Sequence, residues 1–184
     1  TTTPYDEELN FSIDIAYEAG AIAMEFCRNR VDSALGIEQK LDDTPVTLVD
    51  KQLDLFIKEA LEKKFNDILV VGEESSSSID SKKPLEKGRV FYVDPIDGTK
   101  EFISNSGEWC VMIGLNVDGV PTVSVVYVAS TDQLFYAVKG YGTYLLENNA
   151  DKKSSNRLTA SQRLTVGTST DPKDWVCLRS RSHD

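Results

Sequence analysis

Two periods of apolar and polar residues run along this chain, and the first is helical. Leu9, Ile13, Ala16, Gly20, Ala23 and Cys27 recur at steps of four and three, which predicts one amphipathic helix ending near Arg28. Thr3-Pro4-Tyr5-Asp6 marks its start, with Thr3 as cap, Pro4 in the first helical position and Asp6 in the third. The small residues on the stripe predict close packing against another helix. A second stripe, Val49, Leu53, Phe56, Ile57, Ala60 and Leu61, follows Thr47-Leu48-Val49-Asp50, where Thr47 caps and Asp50 takes the third position. Between the two, residues 31–45 read as a loop with Gly36 and the polar tract Lys40-Leu41-Asp42-Asp43-Thr44, and Pro45 keeps Thr44 out of a helix.

Short apolar runs then replace the helical period. Residues 68–71 and 90–93 are apolar and bounded by turn formers, as buried strands are. Residues 109–117, 122–129, 134–138 and 143–146 read as further strands. Asp118-Gly119 joins the first two of these as a hairpin, and Thr131-Asp132 joins the next two. Residues 76–88 form a polar loop, a lid or a simple connection, and residues 147–156 a polar break. Residues 163–168 and 176–178 predict two more strands, with Asp171-Pro172 between them. There is no internal repeat.

Composition narrows the class. With 184 residues, 40% hydrophobic and 27% charged, the chain is an ordinary globular protein. Its formal net charge of −10 argues against non-specific binding to nucleic acid or to anionic membranes. No apolar run approaches the length of a membrane span, and residues 1–6 lack the basic and apolar regions of a signal peptide. Cys27, Cys110 and Cys177 lie far apart without a CxxC motif, so they read as buried reduced thiols and point to the cytoplasm. The single histidine, His183, argues against a zinc site or a Ser-His triad.

The candidate chemistry sits at two strand ends. The run 90–93 leads into Asp94-Pro95-Ile96-Asp97-Gly98-Thr99, which delivers two carboxylates on a turn that Pro95 stiffens. Such hard oxygen ligands suit Mg²⁺, and the Gly98 and Thr99 amides can open a short helix facing an anion. A cation site beside an anion site serves phosphate-ester hydrolysis, and bound cations reverse the repulsion an acidic protein exerts on phosphate. The run 68–71 leads into Gly72-Glu73-Glu74-Ser75, so if the two strands are neighbours Glu73 or Glu74 comes near Asp94 and Asp97. The plain alternative is a pair of solvated acidic turns, with Asp50 no more than a capping-box acid favoured by the helix dipole.

In order, Asp50, Gly72-Glu73-Glu74-Ser75 and Asp94-Pro95-Ile96-Asp97-Gly98-Thr99 resemble the inositol monophosphatase superfamily of Mg²⁺-dependent, lithium-sensitive phosphatases. The resemblance implies a layered α+β fold, an αβαβα sandwich of the sugar-phosphatase type. Residues 1–148 would form an N-terminal metal-binding domain and residues 149–184 the start of a C-terminal α/β domain. It also implies roles. Glu73, Asp94 and the Ile96 carbonyl would bind one Mg²⁺, Asp94 and Asp97 a second, and Glu73 would reach a third through water. Thr99, held by Asp50, would position the attacking water. Gly98 and Thr99 amides would hold phosphate, and Glu74 would stand behind the ligands.

Lys100-Glu101-Phe102 resembles the 3′(2′),5′-bisphosphate nucleotidase branch, and so does the terminal Ser180-Arg181-Ser182-His183-Asp184, where Ser182 and His183 would lie near the adenine nucleotide. The implied reaction releases the 3′-phosphate of 3′-phosphoadenosine 5′-phosphate, giving AMP. One departure stands out: the family's later Trp-Asp motif, which completes the second metal site, has no counterpart here, since Asp174-Trp175 has the reverse order and comes too early. We therefore expect the chain to be the N-terminal part of a longer protein, its C-terminal part missing here. The rivals are an inositol- or sugar-phosphate phosphatase, an inactive phosphate- or metal-binding protein, and a purely structural acidic domain.

Overall fold

The structure, a computed structural model, describes residues 2–29, 36–40, 45–75, 87–147 and 160–176. The first stripe folds as helix α1 (Asp6–Arg28). It starts later than a Thr3 cap requires, because Tyr5 occupies the cap position without a side-chain bond. Thr3 instead closes the turn ahead of the helix, its N–H and hydroxyl donating to Asp6 Oδ1 at 2.8 and 2.7 Å. The second stripe folds as α2 (Leu48–Lys64), whose Thr47 cap and Asp50 form a complete capping box. Val49, Leu53, Ile57 and Leu61 are its fully buried face, and Phe56 and Ala60 flank it half-buried. Within the expected loop, strands β1 (Glu38–Gln39) and β2 (Pro45–Val46) pair antiparallel.

The remaining strands form one seven-stranded sheet in chain order: β3 (Leu69–Gly72), β4 (Arg89–Asp97), β5 (Cys110–Val117), β6 (Val120–Val128), β7 (Gln133–Val138), β8 (Gly142–Glu147) and β9 (Gln162–Leu164). Only β3 and β4 are parallel; every later pair is antiparallel. Asp118 and Gly119, both with positive φ (51° and 75°), make the predicted hairpin turn between β5 and β6. Short helix α3 (Thr99–Ser104) connects β4 to β5.

Helix α1 packs on β5 and β6, and α2 on β3 and β4, so both helices cover the same face of the sheet. Residues of alternating strand positions, among them Phe91, Val93, Ile113, Leu115 and Val125, meet Ile13, Leu53 and Ile57 there. Helix α1 packs on α2, as expected of its small-residue stripe, and the stripe also serves a strand. A Cβ on Gly20 would lie 2.5 Å from the Tyr127 ring of β6, and Tyr17 packs edge-on against that ring at 4.7 Å between centroids.

Three expectations need correction. Strand β4 does not end at Val93 in a turn but runs to Asp97, with a bulge between the Asp94–Met112 and Asp97–Cys110 pairs. Pro95 lacks the N–H a ladder needs, and a bulge is where an interior strand tolerates it. The strand predicted for residues 163–168 shrinks to β9, which pairs with β8. The strand predicted for residues 176–178 is absent at its one described residue: Val176 is 87% exposed, after a 3₁₀ turn at Pro172–Asp174, while residues 177 and 178 lie outside the described residues. No described strand offers Val166 or Val176 a ladder or an apolar surface. Among the described residues Cys27 and Cys110 form no disulfide and are half-buried rather than buried, and Cys177 lies outside the described residues. Among the described residues no helix is long and apolar enough to cross a membrane.

Candidate active site

The parallel pairing of β3 with β4 brings the two acidic strand ends together. Gly72 is in register with Val93, and the Glu73 N–H donates to the Val93 carbonyl at 3.0 Å. Glu73 and Asp94 therefore emerge side by side, close enough for the Glu73 carboxyl to act on that of Asp94. Burial, then the charge and hydrogen bond of Glu73, then the charge of Asp97 push the Asp94 carboxyl up to about 8, against the Ile96 N–H that donates to its Oδ1 at 3.2 Å. Two carboxylates in contact need a proton or a cation between them. Asp97 follows at the exposed end of β4, where the Cys110 thiol faces its Oδ2 at 3.8 Å. Burial and the charges of Asp97 and Asp94 push that thiol up to about 12, which keeps it protonated and not nucleophilic.

The capping box of α2 supplies the second half of the site. Asp50 is 1% exposed. Its Oδ2 accepts from the Thr47 N–H at 3.0 Å and from the Thr47 hydroxyl, which are the capping bonds. Its Oδ1 accepts from the Thr99 hydroxyl at 3.0 Å. Thr99 Oγ1 also lies 3.3 Å from the Ile96 carbonyl oxygen. Burial raises the Asp50 pKa, and the bonds from Thr47 and Thr99 oppose it. Capping and contact with Thr99 thus coexist in one side chain, one oxygen for each.

Gly98 lets the chain turn from β4 into α3. Its φ is 93°, and a Cβ there would fall 3.0 Å from the Glu108 carbonyl oxygen, so a side chain meets both strain and a clash. The turn places the start of α3 directly after Asp97, so the Gly98 and Thr99 amides stand beside the carboxylates.

The sequence reading passes over Lys40. Its ammonium lies 2.6 Å from Glu73 Oε1 and 2.6 Å from Glu74 Oε1. Burial works against that charge, but the hydrogen bonds and charges of the two glutamates outweigh it and hold the Lys40 pKa above its ordinary value. Burial likewise raises the Glu74 pKa, against the attraction of Lys40. No local pattern marks Lys40, whose partner Glu73 is 33 residues away.

The donors suit a hard divalent cation. Glu73, Asp94, Asp97 and the Ile96 carbonyl offer only oxygen, and the Lys40 ammonium already sits as a cation against Glu73. Among the described residues no group of three or more His, Cys, Asp or Glu side chains closes into a metal cage. An open hollow of about 430 Å³ adjoins Glu73 and Asp94 on the sheet face opposite the helices, lined by Tyr92, Met112 and Val126. Ser182 and His183, expected at a nucleotide, lie outside the described residues. Asp174 bonds locally to the Ser169 hydroxyl at 2.6 Å.

With this geometry in place, kinship becomes informative. The model of the inositol monophosphatase family matches residues 5–175, so the chain belongs to that family. It is 31% identical over 138 residues to a histidinol-phosphatase of Chlorobaculum parvum, covering 75% of this chain and 50% of that protein. It is 29% identical over 181 residues to the 3′(2′),5′-bisphosphate nucleotidase CysQ of Haemophilus influenzae, covering 92% of this chain and 65% of that protein. The crystal structure of CysQ from Bacteroides thetaiotaomicron, a bacterial member of the same family, superimposes with a TM-score of 0.70 at 25% identity, covering 91% of this chain and 61% of that one. The chain thus spans between half and two-thirds of the length of these relatives. Family and layered α+β class are those the sequence resemblance implied.

Proposed function

We propose that this chain carries the cation-dependent centre of a phosphoric monoester hydrolase. The observation that supports it best is the Asp50–Thr99 hydrogen bond beside the paired carboxyls of Glu73 and Asp94. One half is a hydroxyl held by a buried carboxylate, the other a cluster of hard oxygens whose negative charge the single ammonium of Lys40 only partly offsets.

In this reading Glu73, Asp94 and the Ile96 carbonyl would hold a first Mg²⁺, Asp94 and Asp97 a second, and Glu73 would also serve a third. When bound, Mg²⁺ neutralises phosphate charge and acidifies water, with Li⁺ as inhibitor. Thr99 spends its hydroxyl proton on Asp50, which leaves its oxygen lone pairs to accept from a water and aim it at phosphorus. Asp50 fixes the direction of that hydroxyl, since its other oxygen is tied to Thr47. The Gly98 and Thr99 amides hold phosphate oxygens at the start of α3.

For the substrate we favour 3′-phosphoadenosine 5′-phosphate. Lys100-Glu101-Phe102, which opens α3, resembles the bisphosphate nucleotidase branch, and one such nucleotidase is similar along most of this chain. Similarity to a histidinol-phosphatase keeps a second reading, a different small phosphate monoester, in view. Residues 1–148 act as the metal-binding domain and 149–184 begin the next, and the reduced thiols of Cys27 and Cys110 suit the cytoplasm. The test is phosphate release from 3′-phosphoadenosine 5′-phosphate, an inositol monophosphate and histidinol phosphate, each with Mg²⁺, without it, and with added Li⁺. Mg²⁺-dependent, Li⁺-inhibited release from the nucleotide above the other two is the expected result. Preference for either of the others overturns the substrate assignment, and release independent of Mg²⁺ overturns the centre.

A further inference from the structure

One buried acid has no part in the reading above. Asp54 lies on α2 one turn after Asp50 and is 1% exposed. Its Oδ1 accepts from the Glu74 N–H at 3.3 Å. Its Oδ2 is fully buried and has no hydrogen-bond partner among the described residues. A carboxylate out of water with a single bond is costly to keep, and such a cost marks a group that holds something in place.

What it holds is the acidic turn. A Cβ on Gly72 would fall 2.2 and 2.5 Å from the two Asp54 oxygens, so the carboxylate lies directly on the Gly72 backbone. The same carboxylate bonds the Glu74 amide. Glu73, between them, is fastened on its other side by its own N–H to Val93 of β4. Asp54 and β4 thus clamp three consecutive residues, and the Glu73 side chain leaves that clamp toward Asp94. Gly72 is required for the room it leaves to Asp54.

We propose that Asp54 is a positioning residue, which sets the Gly72-Glu73-Glu74 turn and through it the Glu73 carboxylate for cation binding; this rests on the Mg²⁺ reading above. It acts from behind the ligands and touches no reacting atom. Removing a group that orients a metal ligand typically weakens metal affinity by about 10–100-fold.

The test is Mg²⁺ binding by titration calorimetry on the parent, Asp54→Ala, Asp54→Asn, Gly72→Ala and the Gly72→Ala/Asp54→Ala pair, with circular dichroism and thermal melting on each. Asp54→Ala is expected to lose about 10–100-fold in Mg²⁺ affinity. Asp54→Asn is expected to recover most of that loss, because an amide oxygen still accepts from the Glu74 N–H. Gly72→Ala is expected to lose affinity too, with the double variant no worse than Asp54→Ala, because both act on one contact. Unchanged affinity in a folded Asp54→Ala, an Asp54→Asn as weak as Asp54→Ala, or additive losses in the pair overturns the proposal. If Asp54→Ala does not fold, Asp54→Asn and Gly72→Ala decide: near-parent affinity in the first with loss in the second supports it, and any other pattern overturns it. A parent that binds no Mg²⁺ overturns the metal reading and this inference with it; a parent that binds beside an equally good Asp54→Ala overturns this inference alone.

Discussion

The two long helices begin with the same four-residue pattern, threonine followed three places later by aspartate, and the two starts have different fates. At α1, Thr3 donates its N–H and hydroxyl to Asp6 Oδ1, and the pair closes a partly buried turn before the helix. At α2, Thr47 and Asp50 make the same kind of bonds in full capping geometry, under complete burial. The decisive difference is the second carboxylate oxygen: Asp50 Oδ1 reaches across 49 residues to the Thr99 hydroxyl. One motif has become a helix start alone, the other a helix start that also aims a hydroxyl. Burial makes the second valuable, because a hydrogen bond to a desolvated carboxylate is strong and fixed in direction.

Replacing the two aspartates separates these roles. Asp50→Ala is expected to lower phosphate release by about 10²–10⁴-fold, the usual range for a group that positions or moves a proton, whereas Asp6→Ala leaves it unchanged in the same assay. An equal loss in both would erase the distinction.

The neighbourhood of Asp50 also differs in its surplus of negative charge, which pH exposes. The Asp94 carboxyl is held up to about 8 by burial and by Glu73 and Asp97, whereas an unfolded chain releases that proton at about pH 4. Between those values the folded protein binds more protons than the unfolded one, so this group's effect on stability worsens as pH rises. Without divalent cations the melting temperature of Asp94→Asn is expected to fall less than the parent's between about pH 5 and pH 8.5, by roughly 2–4 °C for each kcal/mol of relieved repulsion. Parallel melting curves across pH would contradict the raised pKa.

Lys40 marks the same surplus. Its ammonium bridges Glu73 and Glu74, so Lys40→Met removes a competitor for the cation. Mg²⁺ is expected to bind up to about fivefold more tightly, since a partly exposed ion pair is worth about 1 kcal/mol at most; weaker binding in calorimetry would make Lys40 an ally of the cation instead. The smallest effect belongs to the α1 start, where Asp6→Ala loses only the partly buried bonds from Thr3 and is expected to cost about 0.5 kcal/mol of stability, read as a small fall in melting temperature.

What could be read from sequence is what local pattern encodes. Both helical stripes, the Thr47–Asp50 box and the Asp118-Gly119 hairpin rest on residues within a few positions of one another, and each acidic strand end is marked locally, although their pairing across about twenty residues is settled by the sheet. The bulge at Pro95 was hidden because proline reads as the end of a strand, and only the β5 partner shows that the ladder resumes at Asp97. Lys40 and Asp54 were hidden for a different reason. Their partners lie 33 and 20 residues away, and neither residue type carries a signal until burial gives it one. The predicted strand at residues 163–168 shortened because an apolar residue such as Val166 makes a strand only where a neighbour pairs with it.

The central claim is that the oxygens at the ends of β3 and β4 hold a cation for hydrolysis beside the Asp50–Thr99 pair. The most direct measurement is phosphate release from 3′-phosphoadenosine 5′-phosphate by the parent and by Asp94→Asn across a Mg²⁺ titration, with circular dichroism on both. The account predicts Mg²⁺-dependent release by the parent and none above background by a folded Asp94→Asn at any Mg²⁺ concentration. Undiminished, Mg²⁺-responsive release by Asp94→Asn would contradict it.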